Sequence, residues 1–147
     1  MKDVRLLDTG LAPEAALAAF AAAHPQAGGI ASFVGQVRPD DGVEALELSH
    51  YEPLTLPGME ALADEALARW PLDGLLLHHR VGVMHPGDPI VLVAAAARHR
   101  RDAFEAAEFA MDHLKSDAWF WKREQRGGEW QWVEPRAQDH AGLERWR

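Results

Sequence analysis

The sequence contains no cysteine. This absence excludes disulfides, thiolate metal sites and any cysteine on this chain as a nucleophile or sulfur carrier. No apolar run approaches the ~20 residues of a membrane-spanning helix, and the first residues lack the apolar core of a signal peptide. These absences predict a cytoplasmic protein that does not associate with a membrane.

Positive charge is also scarce. Asp and Glu total 23 against 15 Lys and Arg, so the formal net charge is −8. Nucleic-acid-binding proteins usually present a basic face, and we expect no nucleic-acid partner. The charge is uneven, because residues 39–65 contain eight acids and no Lys or Arg, whereas residues 98–126 contain seven bases and six acids. A local anion site within an acidic protein is therefore expected at 98–126.

Lysine is the rarest cation, with three against twelve arginines. Lys2 lies at the start, whereas Lys115 and Lys122 flank the aromatic run at 119–121. A lysine ammonium is a compact charge whose pKa shifts readily on burial, unlike that of arginine. Lys115 and Lys122 are therefore the first candidates for chemistry, although chance placement on the surface would give the same pattern.

Periodicity and turn residues predict an α+β fold in one domain, residues 1–147, with mixed or antiparallel sheets and about three helices. The length is sufficient for one domain to bury a core without disulfides or metals. Helices are expected at about 13–23, 58–69 and 102–115, and strands at about 4–7, 29–37, 43–51, 75–83 and 89–97, with a last hairpin of 119–124 and 129–134. The strands 29–37 and 43–51 are expected to form a hairpin with Arg38 at its tip.

Finer expectations follow from residue spacing. Asp102 is a candidate N-cap for the third helix, whose buried face would include Phe104, Ala107, Met111 and Leu114. The adjacent His78 and His79 should point to opposite faces of their strand. Trp119, Trp121, Trp130 and Trp132 fit cross-strand pairs on the last hairpin, for packing or an interface.

Three kinds of site can be weighed from the residues alone. The basic run 98–101 lies between a strand and a helix, where arginines and helix N–H groups bind phosphate or carboxylate, but a solvated loop would have the same composition. A catalytic metal is disfavoured, because no H-E-x-x-H motif occurs. Ser32, Ser49 and Ser116 lack the surroundings of a serine nucleophile, and no Gly-rich phosphate loop is present.

A series of short motifs resembles the large, catalytic subunit of molybdopterin synthase. The match runs in order from about residue 28 to residue 136, and its order and spacing are more specific than any one motif. The motifs are Gly35–Arg38, Trp70-Pro71, His79–Gly82, Pro86–Asp88, His99-Arg100, Phe104–Ala106, Met111–Lys115, Phe120–Glu124 and Trp132–Arg136.

The resemblance implies a hammerhead-like α+β fold and a sulfurtransferase that converts cyclic pyranopterin monophosphate to molybdopterin. The sulfur arrives as a thiocarboxylate on the C-terminal Gly-Gly of a small ubiquitin-like partner. Two large subunits form a central homodimer with one small subunit at each end, giving a heterotetramer, and no cofactor is implied. The missing cysteine is consistent with this scheme, because the sulfur comes from another protein.

The resemblance also implies roles for particular residues. Lys115 and Lys122 match the two essential lysines of the family. Arg123 and Glu124 match positions that line the substrate site, and the anion-binding positions are matched by Arg38, His99, Arg100 and Arg136. Two departures affect the rim of the pocket: Pro39 follows Arg38 in a short loop, and the segment 52–56 resembles an insertion.

One argument for a dimer is independent of the resemblance. His99 and Lys115 are separated by 16 residues across a predicted helix, which corresponds to roughly 20–24 Å. One small substrate can hardly contact both within a protomer, so a shared pocket requires two chains.

Two other functions are compatible with the residues. One is a module that binds a phosphorylated metabolite without chemistry, and the other is an interaction scaffold with a tryptophan-rich end. Lys115→Ala separates them from an enzyme, because only the enzyme should lose turnover while it keeps its fold and dimer.

Overall fold

The computed structural model describes residues 1–39, 41–116, 119–134 and 137–146, with the side chains of 137–140 excluded. The described part contains four helices: α1 Pro13–Ala23, α2 Glu52–Arg69, α3 Arg100–Ser116 and α4 Ala137–Glu144. Its eight strands are β1 Lys2–Leu7, β2 Gly29–Gln36, β3 Ala45–His50, β4 Leu72–Arg80, β5 Gly82–Met84, β6 Pro89–Ala97, β7 Phe120–Arg126 and β8 Glu129–Val133. The predicted α+β class is confirmed, with α4 as an additional helix after the hairpin.

The strands form two four-stranded sheets. The first sheet has the order β1-β4-β6-β2, with β1 parallel to β4 and the other neighbours antiparallel. The second sheet has the order β5-β3-β7-β8 and is antiparallel throughout. The sequence predicted the pairing of β7 with β8 in the last hairpin but not the division into two sheets.

The first sheet is buried on both faces. Along β6, Val91, Val93 and Ala95 face the cluster that includes α2 and α3, whereas Leu92 and Ala94 face α1. Such a strand has no polar face, which explains the continuous apolar run in its sequence. The prediction that 89–97 lies inside a sheet is confirmed.

Helix α2 begins earlier than the sequence predicted. It starts at Glu52 rather than near residue 58, with Pro53 in its first turn and Pro57 inside it. Proline is tolerated in a first turn, but inside a helix it removes a backbone hydrogen bond, and Pro57 therefore made this stretch resemble a loop. The segment 52–56, which the resemblance marks as an insertion, forms the start of this helix.

The predicted hairpin between residues 29–37 and 43–51 is wrong. β2 pairs with β6 in the first sheet, whereas β3 pairs with β5 and β7 in the second. Val37 leaves β2 beside the turn 85–88, where its N–H donates to the Asp88 carbonyl at 3.0 Å. Arg38 therefore begins the passage between the sheets and is not the tip of a hairpin.

The strand predicted at 75–83 is divided in two. β4 ends at Arg80, and β5 begins at Gly82, whose φ of +94° is accessible mainly to glycine. The chain changes sheets at this point. A turn follows at 85–88, where the Asp88 N–H donates to the His85 carbonyl at 2.9 Å.

Helix α3 differs from its prediction at its N-terminal end. It begins at Arg100, so Asp102 lies within the first turn instead of capping it. Phe104 is 63% exposed, and the buried face is formed by Ala103, Ala106, Ala107, Phe109, Ala110 and Leu114. The predicted face is confirmed at Ala107 and Leu114, and Met111 packs partly buried against the same core, whereas Phe104 was wrong.

The last hairpin turns at Gly127-Gly128, as predicted, with φ values of +57° and +79°, which suit a tight hairpin turn. The predicted tryptophan pairs are wrong, because Trp130 lies opposite Gln125 and Trp132 lies opposite Arg123. Arg123 contacts both indoles, with its guanidinium carbon 4.5 Å from the Trp130 ring centre and 5.8 Å from that of Trp132.

Among the described residues, none of the helices combines the length and the apolar composition that crossing a bilayer requires.

Candidate active site

The two candidate lysines lie on either side of the connection between α3 and β7. Lys115 lies in the last turn of α3. Its side chain is exposed and interacts with at least one other group. Lys122 is half-buried in β7, directly opposite Leu48 of β3. Directly opposed residues share a face of a sheet, so Lys122 lies on the face that also packs the apolar cluster of Leu48 and Met84.

His79 interacts with the elements on both sides of this connection. Its ring stacks on Phe120 with centroids 4.1 Å apart and planes 17° from parallel. Its Nδ1 lies 2.9 Å from the carbonyl oxygen of Arg80. The pKa of His79 is lowered to about 4, mainly by burial. The charge of Lys115 contributes to this lowering, and the hydrogen bond to Arg80 opposes it. The imidazole is therefore uncharged near neutral pH, within electrostatic range of Lys115.

Helix α2 fixes the same connection from another side. The hydroxyl of Thr55 donates to the carbonyl of Trp119 at 2.9 Å, and Thr55 is fully buried. A Cβ at Gly58 would lie 2.5 Å from the Trp119 indole, so only glycine permits this approach. The entry into β7, and hence the position of Lys122, is held by contacts to α2 and β4.

Arg123 and Glu124 lie on opposite faces of β7. Glu124 shares the face of Lys122, and its Oε1 is 3.2 Å from an Arg126 guanidinium nitrogen. Arg123 lies on the other face, where it pairs with Glu47 and contacts the two tryptophans. Only Glu124 of this pair shares a face with Lys122 within the protomer.

Two of the four residues predicted to bind anions lie at the other end of α3. His99 and Arg100 are exposed at its start, beside a shallow cavity of about 280 Å³ lined by Arg100, Arg101, Phe104 and Glu105. Helix N–H groups and guanidinium groups both favour anions at such a position. This arrangement fits a phosphate or carboxylate.

Helix α3 separates this cavity from Lys115. Arg100 and Lys115 are 15 residues apart in one helix, which corresponds to about 22 Å along the axis. Arg38 is exposed after β2, beside the turn 85–88, and has interactions of its own. Arg136 lies outside the described residues. The predicted set therefore does not form one pocket within the described part of a single chain.

Metal-binding groups were considered for the same region. Within the described residues, no cluster of three or more His, Asp or Glu side chains has the arrangement to hold a metal ion. His78 and His79 point to opposite faces of β4, as predicted: His78 lies 3.2 Å from an oxygen of Asp3, and His79 contacts Phe120.

Comparison with known proteins places this geometry in a family. The family model described as "MoaE protein" matches residues 8–117. The chain belongs to the MoaE family. A curated relative from Ralstonia nicotianae, named molybdopterin synthase catalytic subunit, is 44% identical over 99% of this chain and 85% of its own length.

Two solved structures have the same fold. Molybdopterin cofactor biosynthesis protein E from Burkholderia multivorans has a TM-score of 0.84 and 44% identity, covering 99% of this chain and 97% of its own. A complex of subunits 1 and 2 of molybdopterin-converting factor from Helicobacter pylori has a TM-score of 0.79 at 22% identity, covering 90% and 91%, and indicates the fold alone. The family, fold class and enzyme class predicted from the sequence, molybdopterin synthase, are confirmed.

Sequence reasoning gave no role to His79, Phe120 or Thr55. His79 and Phe120 both lie in motifs of the resemblance, but their contact joins residues 41 positions apart in two different sheets. The two residues meet where the first sheet packs against the second. The adjacent histidines, which must face opposite ways, were the only available signal.

Proposed function

We propose that this MoaE-family enzyme transfers sulfur to cyclic pyranopterin monophosphate at the α3–β7 connection. The observation that carries the proposal is the placement of Lys115 and Lys122 on either side of this connection, with His79 interacting with both sides. Lys122 is half-buried on the face that packs the apolar cluster, so less water competes for its charge than at the surface. Ammonium groups stabilise developing negative charge best in such surroundings.

The two lysines have complementary surroundings. Lys115 is exposed, so we assign it to the reacting centre, where a protein tail can reach it. Lys122 is half-buried beside Glu124, so we assign it to charge stabilisation or proton transfer. Attack by a thiocarboxylate sulfur on a pterin side-chain carbon forms a C–S bond and breaks a bond from that carbon to oxygen, and the departing oxygen takes up a proton. Water then cleaves the acyl–sulfur bond of the resulting thioester, so the sulfur stays on the pterin and the tail returns as an ordinary carboxylate.

The phosphate of the substrate requires cations beyond the two lysines. We propose that His99 and Arg100 of one chain complete the site that contains Lys115 of a second chain, because about 22 Å separate Arg100 and Lys115 within a protomer. Arg38, Arg123 and Arg136 remain predicted contributors. A homodimer, with each site built from two chains, follows from this arrangement.

The sulfur donor is proposed to be a small ubiquitin-like subunit with a C-terminal Gly-Gly thiocarboxylate. Support comes from the absence of cysteine in this chain and from the Helicobacter pylori protein of the same fold, which forms a complex of two subunits. With a small subunit at each end of the homodimer, the assembly would be a heterotetramer. A cytoplasmic location remains a prediction.

Reconstitution tests the function directly. The purified chain is mixed with a thiocarboxylated Gly-Gly carrier and the cyclic pterin, and the dithiolene product is measured. We expect product with the thiocarboxylate and none with the same carrier ending in an ordinary carboxylate. Pterin binding without product in both mixtures would instead favour a binding module.

A further inference from the structure

Two neighbouring histidines of β4 have the same burial but different surroundings. His78 is 5% exposed and His79 is 6% exposed. His78 faces α1 and lies beside Asp3. His79 faces the second sheet, stacks on Phe120 and is within electrostatic range of Lys115. His79 therefore lies near the two site lysines, and His78 is an equally buried histidine on the opposite face of the same strand.

We propose that His79 is a positioning residue of the two-lysine site: its ring stacks on Phe120 at the start of β7, the strand that contains Lys122, and lies near the end of α3 that contains Lys115. The inference rests on the proposed function for its catalytic consequence. The geometric part concerns the resting protein and stands separately. His79 would act through the two lysines and need not touch the substrate.

The hydrogen bond at His79 determines which ring nitrogen holds the proton. The Arg80 carbonyl only accepts, so Nδ1 is the donor at 2.9 Å. Because burial lowers the pKa of the ring to about 4, Nε2 carries no proton near neutral pH. The ring therefore adds no positive charge beside Lys115. A lysine or arginine in its place would repel the Lys115 ammonium.

The stack on Phe120 explains how His79 can affect Lys122 as well. Phe120 and Lys122 are alternate residues of β7 and share one face of it. A ring held 4.1 Å from His79 therefore fixes the strand that presents Lys122. Aromatic pairs of this type favour one relative orientation, so the contact specifies geometry as well as burying area.

The kinetic test uses H79A, H79F and the matched control H78A in the complete reconstituted enzyme. Small misplacements of catalytic groups can cost as much as about 100-fold in rate, and we expect H79A to lower kcat about 10- to 100-fold with little change in KM for the pterin. H78A removes an equally buried ring from the other face, so its kcat should stay near that of the parent protein. H79F keeps a ring for the stack and remains measurable where H79A does not fold.

A second readout does not need turnover. The chain has only three lysines, so lysine-selective carbon-13 labelling gives three side-chain signals, assigned with single Lys→Arg variants. We expect H79A and H79F to shift the signals of Lys115 and Lys122, with that of Lys2 unchanged, and H78A to shift neither site signal. Unmoved site signals in H79A and H79F, or a kcat in both that equals that of H78A, would overturn the proposal. If the parent protein makes no product, the proposed function is refuted. The lysine signals then decide by themselves whether His79 positions the two lysines.

Discussion

The two sheets differ in what their faces contain. The first sheet is covered on both faces, and six consecutive residues of β4 and seven of β6 are buried. The second sheet packs one face against a small apolar cluster and leaves Val83, Trp121 and Trp132 exposed on the other. Lys122 and Glu124 belong to the second sheet. Under the proposed function, the buried first sheet is the support and the second sheet presents Lys122, with His79 of the first sheet stacked on Phe120 of the second.

Removal of either site lysine should have the largest effect. We expect Lys115→Ala and Lys122→Ala each to lower kcat by about 10²–10³-fold, because an oriented group that stabilises transition-state charge is lost. Melting temperature and dimerisation, measured alongside turnover, should change little for the exposed Lys115.

The third lysine provides the control for this loss. Lys2 lies 2.8 Å from oxygens of both Glu60 and Asp64 on the surface, far from the α3–β7 connection in sequence. Exposed ion pairs contribute little to stability, so Lys2→Ala should keep its turnover. Full turnover in Lys115→Ala would remove Lys115 from the reacting centre.

Truncation inside the first sheet should affect stability rather than chemistry. Leu92 is fully buried in the cluster beneath α1, and truncation of such a residue to alanine costs about 2–5 kcal/mol. Denaturant unfolding of Leu92→Ala should show this loss, while kcat per folded molecule stays unchanged. A kcat that falls as far as in Lys115→Ala would contradict the claim that this part of the first sheet affects stability and not turnover.

The stability of the fold should depend on the protonation of His79. Its pKa is about 4 in the folded chain against 6.5 for the free group, so the unfolded chain binds more protons between these values and stability falls as pH drops from about 6.5 to 4. The loss is about 3 kcal/mol. H79F lacks this group, and its stability should decline less over the same range. The carboxylates and the other histidines titrate in both proteins, so their effects cancel when the two stability profiles are subtracted. Identical pH profiles would therefore contradict the lowered pKa of His79.

Arg123 should have the smallest effect on the fold. It pairs with Glu47 while contacting Trp130 and Trp132, and half-exposed contacts of this kind contribute about 1 kcal/mol together. Chemical denaturation of Arg123→Ala measures this term. The KM for the pterin in the same variant tests the predicted substrate contact, with Arg5→Ala as a surface control, and an unchanged KM would remove Arg123 from the site.

Sequence patterns predicted local structure better than pairing. The bounds of α1 and β6 were predicted correctly, because Pro13 and the apolar run at 89–97 act within a few residues. The hairpin at Arg38 and the single strand at 75–83 were wrong, because partners such as β2 with β6 are chosen by burial across the whole chain. The resemblance supplied Lys115 and Lys122, but no local pattern could reveal the contact of His79 with Phe120. The single domain 1–147 remains a prediction.

Complementation between two inactive chains tests the two-chain site most directly. Lys115→Ala and Arg100→Ala chains are unfolded and refolded together, and turnover of the mixture with the carrier is compared with that of each variant alone. If Lys115 of one chain works with Arg100 of the other, half of the dimers are mixed and each has one intact site, so about a quarter of all sites regain activity. A mixture no more active than the separate variants would contradict the account.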